Sequence, residues 1–235
     1  MSHKNQAVMQ ERRYTMWWML LAYLVVWVVS HVISDANLDQ AGNMLENFAW
    51  GQQFTWGTSK HPPLIAWVAA AWFAVFPTAD GSYHALAYLV SAVGLLGAYH
   101  LSIALGLPRI ALPATLLLSI ALPYSTLAVK FNANTVLLAT WPWLAWSWVQ
   151  AVQRRTLPAL LLGILASLAL LGKYYSVIVL LSLVLASLYT ETGRRWLLSR
   201  YSVIAAFTTL LLFVPHLVWL VEHDYPTLRY IEGKG

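Results

Sequence analysis

The stretch Lys60-His61-Pro62-Pro63-Leu64-Ile65-Ala66-Trp67-Val68-Ala69-Ala70-Ala71-Trp72-Phe73-Ala74-Val75-Phe76-Pro77 decides how this chain is threaded. Its apolar part, Leu64–Phe76, has thirteen residues. At ~1.5 Å of helix rise per residue it covers ~20 Å, short of a ~30 Å hydrocarbon core. Pro62-Pro63 before it and Pro77 after it stop it borrowing helical turns from its flanks. The segment therefore reads as an interfacial or re-entrant helix inside a loop, and the distribution of cations agrees. If it does not cross, Arg12/Arg13, Arg109, Arg154/Arg155 and Arg194/Arg195/Arg200 fall on one side, with Lys60, Lys130, Lys173, Arg229 and Lys234 on the other. If it does cross, every later loop inverts and the arginine pairs land where the positive-inside rule forbids them.

Around this stretch stand seven apolar blocks: Met16–Ile33, His84–Leu105, Ile110–Val129, Thr135–Val152, Leu157–Leu171, Tyr174–Tyr189 and Tyr201–Val221. The expected fold class is all-α, a polytopic membrane protein of about seven transmembrane helices with interfacial helices in the 34–83 loop. The whole of 1–235 reads as one membrane module with a cytoplasmic N-terminus and an uncleaved first span. Composition demands the membrane: 60% of residues are hydrophobic and 10% charged, against ~25% charged in a soluble domain. Mean hydropathy is +0.62. Thirteen Trp and twelve Tyr supply interfacial anchors. The net charge of +5 is spread over loops between apolar blocks, so nucleic acid is not an expected partner. With no cysteine, thiol catalysis and Cys-ligated metals are excluded.

In this topology seven of the nine acids (Asp35, Asp39, Glu46, Asp80, Glu222, Asp224, Glu232) share the outer face. Acids contribute little to orientation, so this asymmetry is independent of the cation pattern and marks the outer face as the polar one. In its long loop Asp39 and Glu46 are seven residues apart. If Leu38–Trp50 is helical, both carboxylates share one face, with Asn43 between them. The proline-locked Lys60-His61 pair stands at a helix start, where anions are favoured, and reads as a phosphate grip. The plainer reading is a lysine snorkelling to headgroups. Lys130-Phe131-Asn132-Ala133-Asn134 and Lys173-Tyr174 add polar groups on the same face, and Glu222-His223-Asp224 lies there too. His61, His84 and His223 lack metal-ligand spacing, and no phosphate loop or nucleotide fingerprint is present, so neither metal nor cofactor is expected.

Five pieces in order, LDQAGNMLENFAWG, KHPPLIAW, KFNANTVLLATWPWLAW, LGKYYSVIVLL and VPHLVWLVEHDY, resemble the membrane glycosyltransferases of the C-type fold. Within these the likeness is to bacterial family-39-like enzymes related to protein O-mannosyltransferases and aminoarabinose transferases. The resemblance implies hexosyl or pentosyl transfer from a polyprenyl-phosphate sugar to a lipid, glycan or protein hydroxyl, at the extracytoplasmic face of a bacterial inner membrane. It implies Asp39 as catalytic base with Glu46 as substitute, Lys60 and His61 on the donor phosphate, and Lys173 as a second cation. Asn132, Asn134 and Tyr174 would bind substrate. The chain departs from the pattern at Gln40, where relatives carry Glu, at Asn134, where they carry a second acid, and near Tyr88, where they carry a basic residue. Such relatives are usually about twice as long. Two other classes compete: a transporter or lipid flippase, which would place ionisable groups at the bilayer midplane, and a non-catalytic membrane subunit.

Overall fold

The computed structural model describes residues 3–35, 38, 42–153 and 155–233, with the side chains of residues 3–13 and 231 outside the description. All regular structure among the described residues is helical: α1 His3–Ser34, α2 Asn43–Gly51, α3 Leu64–Phe73, α4 Asp80–Ala104, α5 Pro108–Ser119, α6 Ala133–Ala151, α7 Thr156–Gly172, α8 Ser176–Tyr189, α9 Glu191–Leu197, α10 Arg200–Glu222 and α11 Pro226–Glu232.

The expectation of seven spans needs correction. Among the described residues three helices are both long and apolar enough to cross a bilayer: Tyr14–Ser34 within α1, α4 and α10. The expected span Ile110–Val129 is a twelve-residue helix that ends at Ser119 and continues as turns around Pro123. α6 has nineteen residues, but four tryptophans and terminal Asn and Gln dilute its hydropathy. α7 and α8 have seventeen and fourteen residues. α8 and α9 pass the test only as a pair bent by 118°. A hydropathy block thus marks apolar chain without saying how much of it is straight helix. The coarser reading stands: an all-helical, multi-pass membrane protein whose α1, α8 and α10 present large apolar side chains on their outer surfaces.

α6 packs between α4 and α7, and α7 packs in turn against α10, while α1 and α5 lie against α4. One apolar core joins α1, α4 and the turns after α5, through Met16, Leu20, Tyr88, Leu95 and Tyr124. A second carries the loop elements: Met44 of α2 and Ile65 and Ala69 of α3 bury against Tyr83, Leu86, Phe131, Val136 and Leu171. α3 starts where the two prolines put it, at Leu64, and its ten residues give ~15 Å, too short to cross. Two side chains lock this core to the backbone: the Tyr83 hydroxyl donates to the Met44 carbonyl at 2.8 Å, and Asn47 Nδ2 donates to the Phe131 carbonyl at 2.9 Å. The starts of α3 and α4 and the Lys173 turn therefore meet at one end of the bundle. Arg194, Arg195 and Arg200 lie at the other, beyond the ~21 Å length of α8.

Candidate functional site

At the first of these ends, Lys60 Nζ donates to both oxygens of Glu46, at 2.5 and 2.7 Å. The pair is half-buried, with side-chain exposures of 27% for Lys60 and 36% for Glu46. The same ammonium stands 5.7 Å from the centre of the Tyr230 ring, and the His61 ring meets that ring edge-on at 6.5 Å. The backbone turn beneath is built by Thr58. Its hydroxyl donates to the His61 carbonyl at 2.8 Å and accepts from the Lys60 and His61 amides at 3.3 and 2.9 Å. A Thr at a turn closes the backbone on itself in this way, so Lys60 is held by chain geometry before its side chain meets anything.

Lys173 occupies the turn between α7 and α8. Its Nζ donates to Asn134 Oδ1 at 2.6 Å and lies 5.2 Å from the Tyr175 ring centre. Partial burial pushes this lysine below the ordinary ammonium range. Its neighbour Gly172 faces Leu64 at the head of α3, which brings Lys173 to the same end as Lys60. Tyr174 is pushed up by burial. Its hydroxyl lies 2.7 Å from Nε2 of the fully buried His216, whose Nδ1 lies 2.6 Å from the Trp56 carbonyl. A carbonyl can only accept, so Nδ1 carries the proton and the neutral ring's Nε2 accepts from Tyr174.

Three ties fasten the Lys60 loop to the end of the chain. The first is His216 to Trp56. The second is the Thr227 hydroxyl, which donates to the Thr58 carbonyl at 3.1 Å. The third is Gly57, packed so closely on Trp219 that a Cβ there would stand 2.1 Å from the indole. None of His216, Trp56, Thr58 or Thr227 stands out in the sequence as a site residue, because the pairing partners are 160 and 169 positions apart.

The candidate residues do not all hold their expected places. Asp39 and Gln40 lie outside the described residues. The shared-face argument for Asp39 and Glu46 needs a helix from Leu38, whereas α2 begins at Asn43 behind Gly42 at φ +70°. Glu46 is occupied by Lys60. The side-chain oxygen of Asn132 caps α6, accepting from the Asn134 and Thr135 amides in a capping box. Asn134 Oδ1 accepts the hydrogen bond from Lys173. Tyr88 is fully buried and donates to the Ser125 carbonyl at 3.0 Å, a core contact. A separate polar cluster closes α1: His31 Nδ1 lies 2.7 Å from Asp35 Oδ2, and that hydrogen bond holds the Asp35 carboxyl below the usual range. His84, buried beside it, has no hydrogen-bond partner among the described residues.

Residues 60–219 match the pattern of the dolichyl-phosphate-mannose-protein mannosyltransferase family, well over half of the chain. The chain belongs to this family. Membership makes it a membrane glycosyltransferase of the mannosyltransferase type. The mannosyltransferase match opens at Lys60 and closes at Trp219, so it takes in Lys60, His61, Asn132, Asn134, Lys173, Tyr174 and His216 and leaves Asp39 and Glu46 outside. No curated protein and no solved structure matches the chain.

Proposed function

We propose that this mannosyltransferase-family protein moves a sugar from a polyprenyl-phosphate donor to an acceptor hydroxyl at the extracytoplasmic membrane face, using the end of the bundle that carries Lys60 and Lys173. The observation that supports this reading most directly is the presence of two half-buried ammonium groups at one end of an otherwise apolar bundle, each held by a polar partner. A membrane-bound phosphate needs fixed cations beside a greasy wall, and this end offers both.

In this reaction the acceptor oxygen attacks the anomeric carbon, the bond from that carbon to the phosphate oxygen breaks, and polyprenyl phosphate leaves with the electron pair. The acceptor proton goes to Asp39 as general base. Negative charge grows on the departing phosphate, where Lys60, Lys173 and His61 stabilise it most strongly because their surroundings are poorly hydrated. Glu46 holds Lys60 in place and gives up part of it when the phosphate arrives. Asn134 does the same for Lys173. Asn132 and Tyr174 stand beside these cations as hydrogen-bonding groups for sugar hydroxyls. An anion close to Lys173 restores the charge that burial discourages, so donor binding and protonation of Lys173 reinforce each other.

The test is transfer by the reconstituted chain with polyprenyl-phosphate sugars, comparing wild type with Asp39→Asn and Lys60→Ala. Turnover lost in both supports the mechanism, and turnover that survives both sinks it.

A further inference from the structure

Between α8, α9 and α10 lies a groove that runs from the α8–α9 elbow as far as Leu180, and none of the residues assigned above to glycosyl transfer lines it. The chain bends by 118° between α8 and α9, and the elbow is tight: a Cβ on Gly193 would stand 2.3 Å from the Ser187 carbonyl oxygen. The bend leaves an apolar cavity of about 520 Å³ walled by Trp148, Leu162, Leu183, Trp196, Val203 and Leu210. Val184, Val203 and Leu210 are exposed along its edge, so the cavity opens sideways from between α8 and α10. From Ser202 to Leu210 the α10 wall runs ~12 Å along the helix axis.

The chain beside this groove is charged, because Arg194, Arg195 and Arg200 adjoin the lining residues Trp196, Leu197 and Ser202 in sequence. Arg194, Arg195 and Arg200 are exposed on α9 and the start of α10, and the acid among them, Glu191, is paired with Arg195. Three cations against one carboxylate leave this stretch positive. Trp196, a wall of the groove, buries its indole N–H with no acceptor among the described residues. A polypeptide segment would bring backbone groups that these apolar walls cannot satisfy. A hydrocarbon chain brings none, and a phosphate at its head answers the arginines.

We propose that this groove holds one acyl chain of an anionic glycerophospholipid, with its phosphate on Arg194 and Arg200 and an ester carbonyl within reach of Trp196. On the function proposed above, on which this distinction rests, the donor phosphate sits at Lys60 and Lys173, about the ~21 Å length of α8 from these arginines, so the donor is a different ligand.

Native mass spectrometry of the purified protein, loaded from mixed micelles of dioleoyl phosphatidylglycerol or dioleoyl phosphatidylcholine, tests this. One phosphatidylglycerol should be retained in preference to phosphatidylcholine. R194Q/R200Q should weaken retention ~25-fold, a factor of ~5 for each arginine near an anionic lipid. Ala206→Trp and Val203→Trp, both at exposed positions on the groove wall, should abolish retention while leaving the melting temperature near that of the wild type. Lys60→Ala should leave retention unchanged, which separates this site from the transfer reaction. Equal retention of the two lipids, indifference to both tryptophan fillers, or displacement of phosphatidylglycerol by stoichiometric polyprenyl phosphate would each overturn the proposal.

Discussion

Lys60 carries one charge, and Glu46 already neutralises much of it, so the role of Glu46 can be read from kinetics. Glu46→Gln releases the ammonium while keeping the side-chain shape. If Glu46 holds Lys60 for the donor, the variant should keep its kcat and lower the KM for donor severalfold. If Glu46 is itself the base, kcat should collapse instead. Removing the cation by Lys60→Ala should lower kcat/KM by ~100-fold or more, the usual cost of deleting one charge-stabilising group at a reacting centre. Lys173 adds a pH signature. Burial lowers its pKa, so the charged form it needs is present at low pH and lost earlier than usual as pH rises. The alkaline limb of kcat/KM should therefore lie below the ordinary lysine range, and Lys173→Arg should move it upward because guanidinium stays charged. An unmoved limb would assign that titration to another group. At this scale the sequence discloses which residues are polar in a greasy chain, and so points at Glu46, Lys60, Asn134 and Lys173. Their pairing is invisible there, since Lys173 and Asn134 are 39 positions apart and nothing local brings them together.

Elements repeat the contrast between local and distant causes. The start of α3 is legible because two prolines write it, whereas its end falls at Phe73, short of the expected Phe76; α6 starts two residues before the expected Thr135, where Asn132 and Thr135 form a cap. The failure of Ile110–Val129 to run as one helix is not legible, because hydropathy scores the apolar turns around Pro123 like helix. Gly57 has an equally hidden job. Its neighbours in sequence do not require glycine, but the Trp219 indole from α10 occupies the space of its Cβ. Gly57→Ala should destabilise the fold by roughly 1–3 kcal/mol, as overpacking does, and weaken donor binding by moving the Lys60 turn. Thermal unfolding in detergent beside donor titration checks both effects. Loss of stability alone, with donor affinity intact, would mean that the loop does not depend on this contact. Thr227→Ala, which deletes a single hydrogen bond, should cost about 1 kcal/mol.

For the whole molecule, the absence of cysteine makes single-cysteine labelling clean. The second apolar core joins the starts of α3 and α4 to the end of α7, so Asp80→Cys and Tyr175→Cys should label from one side of the membrane and Thr192→Cys from the other. Labelling of Tyr175→Cys and Thr192→Cys from the same side would mean that α8, at fourteen residues, does not traverse the bilayer. The overall class and the polar end were legible because composition and charge are properties of the whole chain. The number of straight, bilayer-long helices was not, because it depends on where each apolar block breaks. The loop holding Lys60 is fastened by His216 and Thr227, 160 and 169 residues downstream of their partners. At a synthesis rate of roughly 5–20 residues per second, the ribosome reaches those fasteners on the order of ten to thirty seconds after finishing the loop. For that interval the newborn chain carries Lys60 on a loop without its downstream ties, and a nascent chain stalled before His216 should hold nearly every candidate ligand yet leave the loop untied.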